Sequence, residues 1–128
     1  MPPDAFQYAI IRVVPLVERG ECLNAGVVLF CRPRKFLEAR IALEEERLHA
    51  LARDADLPAI RAHLDAFARV AAGDPAAGPI AELPASERFH WLVAPSSTMI
   101  QCSPVHTGLS EDPAAELDKL VARLVKSA

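Results

Sequence analysis

The chain has 128 residues, 52% of them apolar and 24% charged, with a formal net charge of −3. A chain of this length buries enough surface for one self-sufficient core, so a single domain over residues 1–128 is expected, with a globular rather than disordered or fibrous composition. The acidic balance argues against a polyanion-binding surface, no apolar run approaches the roughly 18 residues of a membrane span, and Met1-Pro2-Pro3-Asp4 lacks the pattern of a signal peptide, so a cytoplasmic protein is expected.

Phe6 to Val14 is rich in β-branched and aromatic residues and stops at Pro15, which predicts a strand. Side chains alternate along a strand, placing Phe6, Tyr8, Ile10, Arg12 and Val14 on one face and Gln7, Ala9, Ile11 and Val13 on the other. Both faces are largely apolar, as in a central strand. Val17-Glu18-Arg19-Gly20-Glu21 supplies a turn in which Gly20 can take a positive φ. The chain returns as Cys22 to Cys31, where strict alternation puts Leu23, Ala25, Val27, Leu29 and Cys31 on one face and Cys22, Asn24, Gly26, Val28 and Phe30 on the other. There Asn24 needs hydrogen-bond partners and Gly26 permits a close approach. After the basic turn Arg32-Pro33-Arg34-Lys35, residues Phe36 to Leu43 alternate as a strand with one wet face, towards a sheet edge. Three strands with short connections predict an antiparallel meander.

The apolar period then lengthens to that of a helix. Glu44 to Arg53 predicts a short one, with carboxylates in its first turn where the helix dipole favours them. Asp56 reads as the N-cap of a longer helix through Leu57, Ile60, Leu64, Phe67 and Ala71, ended by Gly73. Residues 73–84 hold three prolines and two glycines without an apolar period and read as a mobile loop. Pro84, Phe89, Leu92 and Val93 suggest a short helix stopped by Pro95, with a strand as the alternative. Thr98 to Val105 reads as a fourth strand limited by Pro104. Asp112 caps and Pro113 opens a C-terminal helix whose Leu117, Leu120, Val121, Leu124 and Val125 form an apolar stripe, which the meander's apolar face can receive. The expected fold is α+β: a mainly antiparallel sheet of an N-terminal meander and a late strand, packed against helices including an amphipathic C-terminal one.

Tyr8-x-x-Ile11-Arg12-Val13-x-Pro15, Arg19-Gly20-Glu21-x-x-Asn24-x-Gly26-Val27-Val28-Leu29-Phe30, Arg88-Phe89-x-Trp91-Leu92-x-Ala94-Pro95 and Ser97-Thr98-x-Ile100-Gln101-x-Ser103-Pro104-Val105 together resemble the bacterial domain-of-unknown-function family 3037 over nearly the whole chain. The family usually has valine where this chain has Ala25. The resemblance brings no activity, and it implies as partner a kinase-like protein of the toxin–antitoxin type encoded nearby.

No dinucleotide or phosphate-loop glycine pattern, zinc-protease, paired-cysteine, nucleophile-elbow or calcium-loop signature occurs. Cys22, Cys31 and Cys102 are odd in number and irregularly spaced, which suits reduced, buried thiols. Cys102 and His106 have suggestive metal-ligand spacing, but zinc needs about four converging ligands, so no metal and no cofactor is assigned. A thiolate from Cys22 or Cys102 with His90 or His106 as base would need a cation or helix end to depress the thiol pKa, and neither is evident. Arg32-Pro33-Arg34-Lys35 suits a solvated hairpin tip better than a phosphate contact, and Trp91 suits packing better than recognition, so nucleic acid is not an expected partner.

The remaining candidate is a polar ligand-binding cluster of Arg12, Arg19, Glu21, Asn24, Ser97, Thr98, Gln101 and Ser103, in which arginine and hydroxyl donors would hold a phosphate or carboxylate. The competing explanation pairs Arg12 with Glu21 and gives Asn24, Thr98 and Gln101 to buried backbone groups. Two functions therefore stay open: a non-catalytic accessory domain that holds a partner protein or forms a homodimer through a sheet edge or helix face, and an enzyme or binding domain for a phosphorylated or nucleotide-like ligand. A broad apolar surface would favour the first and a concave polar pocket the second.

Overall fold

The computed structural model describes residues 2–126. Its axis is strand β1 (Asp4–Val13). Along one edge runs β2 (Leu23–Cys31), from Gln7 opposite Phe30 to Val13 opposite Leu23, and β3 (Phe36–Ile41) lies outside β2. The other edge is shared by two short strands, β4 (Ile100–Cys102) against Ile11–Val13 and β5 (His106–Ser110) against Asp4–Tyr8. The result is a five-stranded antiparallel sheet in an α+β fold, with β1 central and β3 at an edge as its composition predicts.

The expected single late strand is thus two. Cys102 sits opposite Ile11 and His106 opposite Tyr8, so Ser103, Pro104 and Val105 face only Ala9 and Ile10, a bulge of one residue. Proline has no N–H for the ladder, and Ser103 repairs the gap. Its N–H donates to the Ile10 carbonyl at 2.8 Å, its Oγ accepts the Ile10 N–H at 2.8 Å, and its hydroxyl donates to the Pro104 carbonyl at 3.0 Å. The strand β5 escapes a sequence reading because His106-Thr107-Gly108-Leu109-Ser110 has no apolar alternation and contains a glycine.

A second bulge corrects the faces expected for β2. Ile11 pairs with Gly26 but Arg12 pairs with Asn24, skipping Ala25. Past that extra residue the alternation inverts, because one added residue turns every following side chain to the opposite face. Leu23 and Ala25 therefore join Val28 and Phe30 in one core, while Asn24 turns to the side of Val27 and Leu29. Gly26 beside the bulge lies so near β3 that a Cβ there would fall 2.5 Å from the Arg40 carbonyl oxygen.

Each sheet face has its own helical cover. Helices α1 (Glu45–Leu51), α2 (Leu57–Ala72) and α3 (Ala85–Val93) bury Leu48, Ile60, Leu64 and Phe89 against Ile11 and Phe30. On the opposite face α4 (Pro113–Leu124) lays Leu117, Leu120, Val121 and Val125 on Phe6, Val27, Leu29 and Cys31. The Asp56 and Asp112 carboxylates accept the Ala59 and Ala115 N–H groups at 3.1 and 3.2 Å as expected N-caps, and Gly73 closes α2 with a φ of 76°. Residues 73–84, expected as an irregular loop, instead wind into two 3-10 turns at Pro75–Ala77 and Pro79–Glu82. Arg88 fastens their exit, donating to the Leu83 carbonyl at 2.7 Å and to the Ala71 carbonyl at 3.4 Å.

Ser103→Ala leaves the Ile10 N–H without its acceptor and is expected to cost about 1–3 kcal/mol of stability, read from a denaturant titration with unchanged m-value. Gly26→Ala forces a methyl against backbone and is expected to lower stability by about the same 1–3 kcal/mol. Stability unchanged in either variant would contradict the corresponding bulge geometry.

Candidate functional site

The eight polar residues of the expected cluster separate into four locations. Arg12 is flanked across the sheet by Asn24 on β2 and Gln101 on β4, so these three share one row on the α4 face. Arg19 and Glu21 lie in the β1–β2 connection, where they pair with each other at 2.6 Å and remain exposed. The anticipated Arg12–Glu21 pair is therefore not formed, because Arg19 lies nearer in the turn. Ser97 and Thr98 are exposed on the segment entering β4, and Ser103 is buried in the ladder.

Four of these side chains, Asn24, Thr98, Gln101 and Ser103, satisfy backbone groups. Asn24 donates from Nδ2 to the Leu124 carbonyl at 3.0 Å and, with Arg47 donating to the Val125 carbonyl at 3.1 Å, closes the C-terminal end of α4. Gln101 donates to the Thr98 carbonyl at 2.9 Å, and the Thr98 hydroxyl donates to the Ile100 carbonyl at 2.9 Å. Arg34 in the basic hairpin turn is likewise drawn inward, donating to Asp4 at 2.8 Å and to the Pro2 and Glu111 carbonyls. Arg12 differs: its Nε is buried without an acceptor among the described residues.

The three thiols lie in different surroundings. Cys22 is exposed, Cys31 is buried, and Cys102 points its Sγ at the Leu92 carbonyl, 3.5 Å away. Burial pushes the Cys102 thiol up from 9.0 to about 12, with the Arg12 guanidinium pulling in the opposite sense. His106 stacks on Tyr8 at 5.4 Å between ring centroids, on the α4 side, whereas Cys102 packs with the other core. The bulge thus parts the one pair with ligand-like spacing, and among the described residues no three potential metal ligands gather.

One concave surface takes in only Thr98 of the expected cluster. A groove of about 490 Å³ opens between α2 and α3, lined by His63, Phe67, Val70, Trp91, Pro95 and Ile100 among others. Trp91, which its sequence context assigned to packing, is 53% exposed there. The signal was available in the helical spacing: Phe89 and Leu92 face the core, and Trp91, two residues after Phe89, falls about 200° around the helix from it. The adjoining segment Ala94–Thr98 adds hydroxyls from Ser96 and Thr98, which bond to each other at 3.0 Å.

A family model described as "Protein of unknown function (DUF3037)" matches residues 8–125. No curated protein and no solved structure matches the chain.

Alkylation at neutral to mildly alkaline pH is expected to modify Cys22 first and to leave Cys102 unmodified until the chain unfolds. Above its ordinary value of 9.0 the Cys102 proton leaves the unfolded chain but is retained by the folded one. Stability should therefore fall as pH rises from 9.0 towards about 12, and Cys102→Ala should flatten that part of the pH profile. An equally steep decline in the variant would assign the effect to other groups.

Proposed function

Since the chain belongs to the DUF3037 family, whose description names no activity, its role has to be argued from its own surface, and we propose that it is a non-catalytic protein-interaction domain. It holds a partner segment by an apolar side chain seated against Trp91 in the α2–α3 groove. The observation that carries this reading is the exposed indole at the mouth of that groove. Tryptophan offers a large rigid contact area and an N–H for the rim, which is why it recurs among the residues that dominate protein interfaces. The rim hydroxyl of Ser96 and the His63 ring supply hydrogen-bonding groups for the segment's backbone. The kinase-like protein that the family resemblance implies is the first whole partner to test. We place the domain in the bacterial cytoplasm, in keeping with three unpaired cysteines.

The buried Arg12 Nε favours a second reading, an anion-binding site on the sheet face beside Asn24 and Gln101. It is the weaker one, because the C-terminal end of α4 at Leu124 carries partial negative charge into the same neighbourhood and opposes an anion there.

Panning a displayed random-peptide library on the chain is expected to enrich peptides with an aromatic or large aliphatic anchor. Because Trp91 is the sole tryptophan, its emission should shift to the blue as such a peptide binds. Trp91→Ala should abolish binding while changing stability by no more than about 1 kcal/mol. Peptides that bind the variant equally well would overturn the groove reading. Thermal stabilisation by inorganic phosphate that Arg12→Ala removes would move the assignment to the second.

A further inference from the structure

The edge formed by β5 presents a second interaction surface. Ile10 turns both its N–H and its carbonyl towards the late strand, bonding to Ser103. By the alternation of the ladder Tyr8, Phe6 and Asp4 do the same, so their partners His106, Gly108 and Ser110 face inward. Thr107 and Leu109 then present their N–H and carbonyl groups at the free edge, with Val105 one alternate step before them. Among the described residues no other strand pairs with β5.

Natural sheets blunt such an edge with lysine, proline within the strand, or a covering element. The strand here has none of these: it contains no Lys, Arg, Asp or Glu, Pro104 stands outside it, and two of the large exposed apolar side chains belong to this segment, Leu109 at 68% and Val105 at 38% exposure. Their spacing is self-complementary. In an antiparallel pairing centred on Thr107, Val105 of each copy meets Leu109 of the other on one face, with the two threonines at the axis. On the opposite face His106 meets Gly108, which has no side chain to obstruct it, and Glu111 falls opposite Ser103, so no like charges are set against each other.

We propose that this edge is the site of self-association: β5 pairs with β5 of a second copy of the chain about a two-fold axis at Thr107, joining two sheets into one. The contact is short, which makes it a concentration-dependent dimer rather than an obligate one. It shares no residue with the Trp91 groove, whose lining comes from α2, α3 and the segment into β4.

Sedimentation across micromolar to millimolar concentration should show a shift from the chain mass to twice that mass. Over the same range the amide exchange of Thr107 and Leu109 should slow. Thr107→Pro removes an outward N–H and leaves the β1 ladder whole, and Leu109→Lys sets a charge in the apolar contact; each should remain monomeric at every concentration with an unchanged circular dichroism spectrum. Should the proline variant fail to fold, the lysine variant alone decides. Trp91→Ala should dimerise as the parent does. A parent chain that stays monomeric throughout, or a dimer that survives in a folded edge variant, would overturn the proposal.

Discussion

The fold depends on how the two edges of β1 are satisfied. A ten-residue strand buried in the middle of a sheet must find partners for every backbone donor and acceptor, since an unpaired group there costs on the order of 1–3 kcal/mol. On one side β2 supplies them continuously but with one residue too many, and on the other the chain arrives as two short strands with a proline between them. Both mismatches are absorbed by bulges, at Ala25 and at Ser103-Pro104-Val105. The arrangement of side chains on each face follows from where those bulges fall.

The first bulge decides what Asn24 does. Without the extra residue its amide would lie under α1–α3, in a core of Val28 and Phe30 where it would have to find partners among apolar side chains. With the inversion it reaches the end of α4 and closes that helix, coupling the central sheet to the C-terminal element. The second bulge decides what Ser103 does: a hydroxyl that could have served a ligand replaces the missing ladder bond beside Pro104. Thr98 and Gln101 are committed in the same way to carbonyls of their own segment. Among the described residues the Nε of Arg12 and that of Arg88 are buried donors left without an acceptor.

Elements set by periodicity and caps were legible in the amino-acid sequence. The stripe from Leu117 to Val125 behind Asp112-Pro113, the Asp56 cap and Gly73 stop of α2, and the central position of β1 all follow from local chemistry that tertiary contacts reinforce. What escaped depended on register. A one-residue slip in pairing leaves no mark on composition, so the faces of Leu23, Asn24 and Ala25 were misassigned and β5 was overlooked. The polar cluster was only partly legible for the same reason: Arg12, Asn24 and Gln101 do share a row, but Arg19 and Glu21 close on each other in the turn instead of reaching it. Trp91 was legible in principle, since its angular position departs from the stripe of Phe89 and Leu92, yet an isolated aromatic in a short helix is easily credited to the core.

The two open surfaces share a cause. Helix α4 covers the β2–β3 half of its face and α1–α3 cover the opposite one, so the helices enclose the meander more fully than the late strands. The chain's last strand is pinned to β1 by Ser103 and by its own ladder, and nothing beyond it closes the sheet among the described residues. Just before that strand, Pro95 stops α3 and the segment to Thr98 leaves Trp91 uncovered beside α2. The α3–β5 region thus carries both the exposed indole and the free edge, whereas the meander, where the polar residues are held by their neighbours, carries the rigid support. What these two regions expose is carbon surface at Trp91, Val105 and Leu109 and, along β5, a strand edge that no other described strand pairs with.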